Sequence, residues 1–178
     1  IIVVLLTPAF VFAGPASAAG STPNPETEAY VLASLQGSGD VALGDFSGAD
    51  RAISASFLRF ALEDPAVQSH PRIALEHVVV VGLFWGSDLV MPSNLDMRNM
   101  EFEGDVFFDL AQLQSLILID SNIHGYLSIN RATSNGNVDL RNNVIDGGLN
   151  FYGSHFAGEL VLDQTRILGT NSAPGSSL

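Results

Sequence analysis

The feature that most constrains this chain is a glycine or serine that recurs at nearly constant spacing along its second half. Seven of the eight intervals between these anchors are 11 residues long and one is 10. The anchors are Gly82, Ser93, Gly104, Ser115, Gly125, Gly136, Gly147, Gly158 and Gly169. A fixed period with one bend residue per unit is typical of a solenoid, whose repeats must stack to bury their apolar faces.

Apolar residues keep a fixed distance from each anchor. They lie two residues before it, two after it and four after it, as Phe102, Val106 and Phe108 do around Gly104. Short segments with a two-residue period predict strands with one buried face. Because glycine and asparagine interrupt these segments so often, they do not suit helices, and we expect an all-β fold.

One coil of the predicted solenoid contains two of the 11-residue units. Eleven extended residues give a perimeter of only ~36 Å, too small to enclose large side chains without covalent cross-links, and the chain has no cysteine. The position seven residues after the anchor also alternates between two classes, Asn122, Asn143 and Thr165 in one and Ala111, Ala132 and Ser154 in the other. The sequence therefore predicts a single-stranded parallel β-helix of about four 22-residue coils over residues 78–169.

Five anchor glycines and two asparagines have predicted structural roles. The glycines are expected at corners where a side chain would clash or where φ must be positive; they are Gly104, Gly125, Gly136, Gly147 and Gly158. Asn122 and Asn143 are expected to point inward at one corner, one coil apart. Stacked amides hydrogen-bond along a coil axis and satisfy turn backbone, so we interpret this pair as a structural ladder rather than as polar ligands.

Two short sequences carry a resemblance to a known family. Ser154-His155-Phe156 running into Gly158-Glu159-Leu160, and Ser121-Asn122-Ile123 running into Gly125-Tyr126-Leu127, resemble the A-x-Φ-x-x units of pentapeptide-repeat proteins. The chain thus resembles right-handed parallel β-helix proteins of bacteria that are related to that family. Its spacing of four, two and five residues departs from a strict five-residue repeat. The resemblance covers about half of the chain and implies β-helix architecture.

Residues 50–65 are predicted to form an α-helix that caps the first coil. Asp50 is the expected N-cap and Pro65 the stop signal. Apolar residues recur between them at helical spacing; they are Ile53, Phe57, Phe60, Ala61 and Leu62. A shorter helix from Glu28 to Gln36, with Thr27 as its cap, is expected to precede it.

The first 19 residues are interpreted as part of a secretory signal peptide. An apolar run from Ile1 to Phe12 precedes Ala16-Ser17-Ala18, which matches the A-x-A cleavage pattern. A membrane anchor is the alternative, but about 12 apolar residues fall short of the ~20 that span a bilayer. The signal predicts a protein that is secreted or held in the cell envelope. Residues 20–49 are expected to be a linker and residues 170–178 a tail.

Charge and composition exclude several classes of partner and of chemistry. The chain has 19 acidic and 7 basic residues, a formal net charge of -12, so it lacks the cationic surface that nucleic acids and anionic membranes require. Without cysteine or lysine it cannot form disulfides, thiolate nucleophiles or lysine Schiff bases. The four histidines share no metal-ligand spacing. We expect neither a metal nor another cofactor.

One outward column is the best candidate for chemistry. Asp120, Arg141 and Asp163 each lie five residues after alternate anchors, with Asp139 nearby, so they are expected to stack with a step of ~4.8 Å. β-Helix enzymes that cleave acidic polysaccharides resemble this in their use of Asp and of Arg or Lys on stacked strands. Aspartates there bind calcium or act as acids, and the cation holds a uronate or abstracts a proton. The alternative is an exposed ion ladder.

Two functions are compatible with these patterns. The first is a non-catalytic structural or interaction module of the bacterial cell envelope or secreted fraction, with a protein or a carbohydrate as partner. The second is a carbohydrate-active β-helix enzyme, a lyase or hydrolase acting on an acidic polymer. Trp85 is expected either to stack on a sugar or to pack between the cap helix and the first coil. An uncovered C-terminal coil predicts further coils or end-to-end association, because exposed strand edges invite pairing.

Overall fold

The fold is a parallel β-solenoid of about four coils with helices at its N-terminal end, which confirms the predicted architecture. The computed structural model describes residues 21–169. The predicted signal segment, residues 1–19, and the predicted tail, residues 170–178, lie outside the described residues.

Among residues 21–169, three α-helices lie at the N-terminal side and short strands follow. The helices are α1 (Pro25–Ser38), α2 (Ala55–Glu63) and α3 (Pro65–Gln68), and a 3-10 turn spans Gly48–Arg51. The strands are β1 (Asp40–Ala42), β2 (Ala52–Ser54), β3 (Arg72–Glu76), β4 (Val79–Val81), β5 (Phe84–Trp85), β6 (Val90–Arg98), β7 (Glu101–Phe102), β8 (Val106–Phe107), β9 (Gln112–Ile119), β10 (Asn122–Ile123), β11 (Leu127–Ser128), β12 (Thr133–Ser134), β13 (Val138–Asp139), β14 (Val144–Ile145), β15 (Leu149–Asn150), β16 (His155–Phe156), β17 (Leu160–Val161) and β18 (Arg166–Ile167).

The strands form three parallel sheets that wrap around one axis. Sheet A follows the order β1-β3-β6-β9-β12-β16, with β13 between β9 and β17; sheet B follows β2-β4-β7-β10-β14-β18; sheet C follows β5-β8-β11-β15. Residues paired across neighbouring coils are 22 positions apart at most steps, as Phe84 is from Val106. The predicted 22-residue coil is therefore confirmed.

One coil is a residue shorter than its neighbours, and the missing residue lies in β9. Leu113 and Leu116 are three positions apart, whereas their partners Met91 and Leu95 in β6 are four apart. The partners on the other side, Ser134 and Val138, are also four apart. The single 10-residue interval between anchors thus corresponds to a lost corner residue, and β6 bulges where it faces the gap.

Inward side chains form apolar columns that run along the axis. One column behind sheet A is fully buried and consists of Leu75, Met97, Leu118 and Leu140. The buried ring of Phe84 lies 5.4 Å from that of Phe108 and 6.3 Å from that of Phe102, centroid to centroid. Burial of one such side chain stabilises a fold by about 1.5–3 kcal/mol. Because the cover comes from the coils above and below, no coil can bury its own inward face alone.

Two corners of the coils are turned by residues with positive φ. One column of such residues is His77, Asn99, Asp120, Asn142 and Gln164, and the other is Asp88, Leu110, Arg131 and Gly153. The left-handed conformation costs a non-glycine residue about 1–2 kcal/mol. Coil stacking must therefore offset a strain that recurs in every coil.

The anchor glycines from Gly104 onward have a different role from these corners, whereas the first anchor, Gly82, has a φ of 92°. A Cβ on Gly104 would lie 2.8 Å from the carbonyl oxygen of Gly82, and a Cβ on Gly147 would lie 2.6 Å from that of Gly125. The predicted steric clash is confirmed. The alternative of positive φ is wrong for Gly104, Gly125, Gly136, Gly147 and Gly158, because the chain takes up its left-handed turns at other residues.

The cap helix begins later than the predicted segment 50–65. Helix α2 starts after Ser54, whose hydroxyl accepts a hydrogen bond from the amide of Phe57 at 3.2 Å, whereas Asp50 lies in the 3-10 turn. Ile53 belongs to β2, where it pairs with Val80. Phe60 does not join the packed stripe, because its side chain is exposed. Helical spacing alone could not reveal that a strand precedes the helix.

The segment predicted as a linker is ordered and extends the solenoid. Helix α1 runs beyond the predicted Glu28–Gln36 at both ends, because Asn24 caps it by accepting a hydrogen bond from the amide of Glu26 and Pro25 starts it. Thr27, the predicted cap, is buried in the helix and donates to the carbonyl oxygen of Asp50 at 2.7 Å. Strand β1 then pairs with β3, so sheet A begins well before residue 78.

Relief of strain at one corner should stabilise the protein. Leu110 has a φ of 61° and a half-exposed side chain, so Leu110→Gly removes the strain with little loss of packing. We expect the free energy of unfolding in urea to rise by about 0.5–1 kcal/mol, the net of relieved strain and added backbone entropy. Val90→Gly, at a similarly exposed position in β6, should lower it. A lower unfolding free energy for Leu110→Gly would contradict the argument.

Candidate functional site

The structure moves one member out of the predicted column of Asp120, Arg141 and Asp163. Arg141 is level with Asp163, as the pairing of β13 with β17 requires. Asp120 is level with Asn142 instead and accepts a hydrogen bond from its side-chain amide at 2.9 Å. The residue missing from β9 lies between Leu113 and Leu116, so positions counted forward from Ser115 fall one residue too far along.

Arg141 is engaged by the aspartate two residues before it. Its Nη2 lies 2.6 Å from Oδ2 of Asp139, and its Nε donates to Oδ1 at 2.9 Å. The hydrogen bond to Asp139 raises the pKa of Arg141, and the carboxylates of Asp163 and Asp120 add to the effect. Nε and Nη2 of Arg141 already bind the Asp139 carboxylate, so this pair of donors is not free to bind the carboxylate of a uronate. The geometry therefore favours the ion ladder.

A second Asp-Arg cluster lies on the same face of sheet A and was missed by sequence reasoning. The Asp96 carboxylate is almost fully buried. Arg72 donates to its Oδ2 from Nη2 at 2.7 Å, and Arg98 donates to its Oδ1 from Nε at 2.8 Å. The missed signal is the spacing Asp-x-Arg, which occurs at Asp96 and Arg98 and again two coils later at Asp139 and Arg141.

The Asp96 cluster ties three strands together. Arg72 in β3 also contacts Asp40 in β1, with 3.3 Å between Nη1 and Oδ1. A shallow groove opens above Ala74 between these side chains and Glu76. Burial raises the pKa of Asp96, but hydrogen bonds from Arg98 and Arg72 outweigh burial and bring the pKa below its ordinary value. With two guanidiniums among three carboxylates, the groove has no excess positive charge with which to hold an anion.

Sheet B presents one histidine between two carboxylates. His124 Nδ1 lies 2.8 Å from Oδ2 of Asp146, and its Nε2 lies 3.4 Å from Oε1 of Glu101. The hydrogen bond to Asp146 raises the pKa of His124, and the interaction with Glu101 adds to this. Within residues 21–169, no group of three or more histidine, aspartate or glutamate side chains is placed to hold a metal ion.

The predicted asparagine ladder is wrong in one of its two members. Asn143 is fully buried, donates from Nδ2 to the carbonyl oxygens of Leu118 at 2.6 Å and Leu140 at 2.9 Å, and accepts from the amide of Ser121. Asn122 is exposed and pairs with Val144, so Ser121 takes the inward position. The missing residue in β9 again accounts for the error. The polar column satisfies corner backbone, which is a structural role.

The outward face of sheet C carries aromatic side chains. Trp85 and Phe107 are paired neighbours on successive coils, with ring centroids 5.3 Å apart and planes tilted by 46°. Trp85 is 56% exposed. Trp85 therefore lies between the cap helix and the strand of Phe107 while much of its side chain stays exposed, so both of its predicted settings are compatible with the structure. Helix α2 reaches this residue through Arg59, whose Nη1 donates to the Trp85 carbonyl oxygen at 3.1 Å.

Polar groups on sheet C are fixed by hydrogen bonds between coils. Oδ1 of Asp109 accepts from the hydroxyl of Ser128 at 2.5 Å and from the amide of Asn130 at 2.9 Å. Oδ1 of Asn130 accepts from the amide of Tyr152 at 2.9 Å, one coil further on. Sequence reasoning singled out Trp85 but not the row to which it belongs, although the position three residues after alternate anchors is aromatic in two successive coils.

Comparison with known protein families, with curated proteins and with solved structures finds no match for this chain. No helix among residues 21–169 is long and apolar enough to cross a membrane. Function therefore has to be inferred from the exposed surfaces of the solenoid.

Removal of the buried carboxylate should cost stability in a pH-dependent way. Asp96→Asn leaves two arginines without their ionic partner, so we expect the free energy of unfolding at pH 7 to fall by about 2–3 kcal/mol, less than for a fully buried pair because both arginines are half exposed. The folded-state pKa of Asp96 lies below its unfolded value. Its contribution is therefore present above the unfolded pKa, near 3.8, and is lost as the pH falls through the folded pKa.

The control is Asp139→Asn, which removes the equivalent carboxylate from a pair two coils away whose aspartate is less buried. We expect a smaller loss there. Two outcomes would contradict the assigned role of Asp96. One is an equal loss of unfolding free energy in the two variants. The other is a difference in unfolding free energy between wild type and Asp96→Asn that does not become smaller below pH 4.

Proposed function

We propose that this protein is a non-catalytic interaction module that a bacterium exports to its cell envelope or surroundings. The observation that supports the proposal is the greater exposure of the apolar columns in the last coil of the described residues. Export rests on the apolar run and the cleavage pattern Ala16-Ser17-Ala18. The relationship to pentapeptide-repeat proteins stays a prediction.

Among residues 21–169, the apolar columns are more exposed in the last coil than in the coil before it. Leu140 and Ile145 are fully buried, whereas Leu162 and Ile167, the next members of the same columns, are 39% and 48% exposed. Within residues 21–169, each of the strands β15, β16, β17 and β18 pairs with a neighbour on one side only. An apolar surface bordered by unpaired strand edges is a site at which another chain can add.

The occupant that we propose for this end is a second copy of the same chain, docked end to end. The two copies have the same spacing of strand edges and the same apolar columns at this end. A two-fold arrangement can therefore place the strand edges and apolar columns of one copy against those of the other. A 22-residue coil has a perimeter of ~73 Å and a section of ~330 Å² if square, or ~660 Å² for both ends together. Stable interfaces bury ~1,200 Å² or more, so the association is weak and depends on concentration.

Sedimentation velocity tests this association. We expect the average mass to rise with protein concentration and to rise further at high salt, because salt screens the repulsion between two acidic chains. Ile167→Glu should keep the protein monomeric. Leu83→Glu, an equally exposed residue (48%) on the side of the rod, should behave as wild type. A wild-type protein that stays monomeric at millimolar concentration would contradict end-to-end docking.

The alternative, a carbohydrate-active enzyme, has less support. The guanidinium of Arg141 is already bound to Asp139, and Asp120 lies outside the column that Arg141 forms with Asp163. We expect no release of unsaturated sugars from pectin or alginate, and no difference between wild type and Arg141→Ala in that assay. Turnover by the wild type that is lost in Arg141→Ala, with folding preserved in circular dichroism, would establish the enzyme instead.

A further inference from the structure

The outward side of sheet C combines exposed rings with polar atoms that are held by hydrogen bonds between coils. Its column of outward strand residues begins with Trp85 and Phe107 and continues with Ser128 and Asn150, whose polar side chains are buried. Its strands are held at ~4.8 Å spacing by the coils beneath them. A ligand that binds here meets side chains whose positions are already set, which lowers the entropic cost of binding.

The aromatic groups lie at both ends of the face. Trp85 is 56% exposed at the N-terminal end and Tyr152 is 50% exposed three coils later, a distance of about 14 Å along the axis from three steps of ~4.8 Å. The ring of Phe107 packs against one side of the Trp85 indole. Aromatic rings with one apolar face and a polar edge suit ligands that are themselves apolar on one face and hydroxylated at the edge.

The polar groups between the rings are acceptors and hydroxyls. Asp105 accepts from the amide of Tyr126 at 2.8 Å, and Asp109 is held by Ser128 and Asn130. Burial raises the pKa of Tyr126, although a hydrogen bond from Asn150 lowers it in part. The phenol therefore stays protonated at neutral pH. Fixed carboxylates, amides and a phenol are the groups that recognise ligand hydroxyls.

Charge decides which ligand of this type can bind. The face carries the carboxylates of Asp105 and Asp109 in a chain of net charge -12, and the nearby Arg59 is already bonded to Glu63 and to the backbone of sheet C. Polymers of uronic acids or of phosphates would be repelled. A continuous apolar protein surface would leave these carboxylates without partners at cost.

We propose that the outward face of sheet C, from Trp85 in β5 to Tyr152 in the turn that follows β15, binds an uncharged polysaccharide along the solenoid axis. Sugar rings stack on Trp85 and Tyr152, and their hydroxyls donate to the carboxylates between the two rings. The inference rests on the proposed function, since it supplies a ligand class for a non-catalytic interaction module.

The single tryptophan of the chain makes the test direct. Wild-type protein is titrated with soluble xylan, hydroxyethyl cellulose and mixed-linkage β-glucan while the indole emission is recorded, and binding is measured in parallel by affinity electrophoresis. We expect a blue shift and retardation with at least one of these neutral polymers and neither with polygalacturonate. Trp85→Ala should raise the Kd by about tenfold, and Tyr152→Ala should raise it less.

The matched control is Tyr30→Ala. Tyr30 is 48% exposed and lies 5.5 Å from the ring of Phe46 at a tilt of 44°, a pair closely similar to Trp85 and Phe107 but located on α1 and the loop after β1. It should bind as wild type does. No binding to any of the three polymers, an equal loss in Tyr30→Ala, or tighter binding to polygalacturonate would each overturn the inference. Hydrolysis of a bound polymer would instead overturn the non-catalytic proposal and leave the binding face in place.

Discussion

Stacking of each coil on the next is the interaction on which the rest of this structure depends. Leu75, Met97, Leu118 and Leu140 are buried because each lies between members of neighbouring coils, and the strands find hydrogen-bond partners in the same neighbours. The free energy gained in this way offsets the left-handed corners. It also fixes outward side chains at a repeat of ~4.8 Å, which makes the faces of the solenoid suitable for recognition.

The same constraint governs the charged residues. Stacking in register places Arg72, Asp96 and Arg98 in contact across coils, although Arg72 lies 24 residues before Asp96. The Asp96 carboxylate tolerates burial because both guanidiniums reach it. Arg141 and Asp139 repeat the arrangement two coils later in a more exposed setting. These clusters hold neighbouring coils together, whereas the exposed rings beside sheet C support the ligand role that we propose for that face.

The repeat allowed the coil length, the parallel sheets, the number of coils and the steric role of the anchor glycines to be predicted, because all of these follow from the period. The sequence could not show which residues of the second coil align with those of the next coil, because the 10-residue interval does not reveal which residue is missing. Its loss between Leu113 and Leu116 moved Asp120 out of the column and Asn122 to the outside. The N-terminal strands could not be predicted either, since β2 lies inside an apolar pattern of helical spacing.

One measurement tests the register most directly, and the absence of native cysteine makes it simple. Asn122 and Val144 are paired outward neighbours, so the double variant Asn122→Cys, Val144→Cys places two sulfurs within the reach of a disulfide. The double variant Asn122→Cys, Asn143→Cys pairs the same position with a buried, inward one. We expect mild oxidation to cross-link the first variant and to leave the second with two free thiols. Cross-linking of the second variant in preference to the first would contradict the stacking described above.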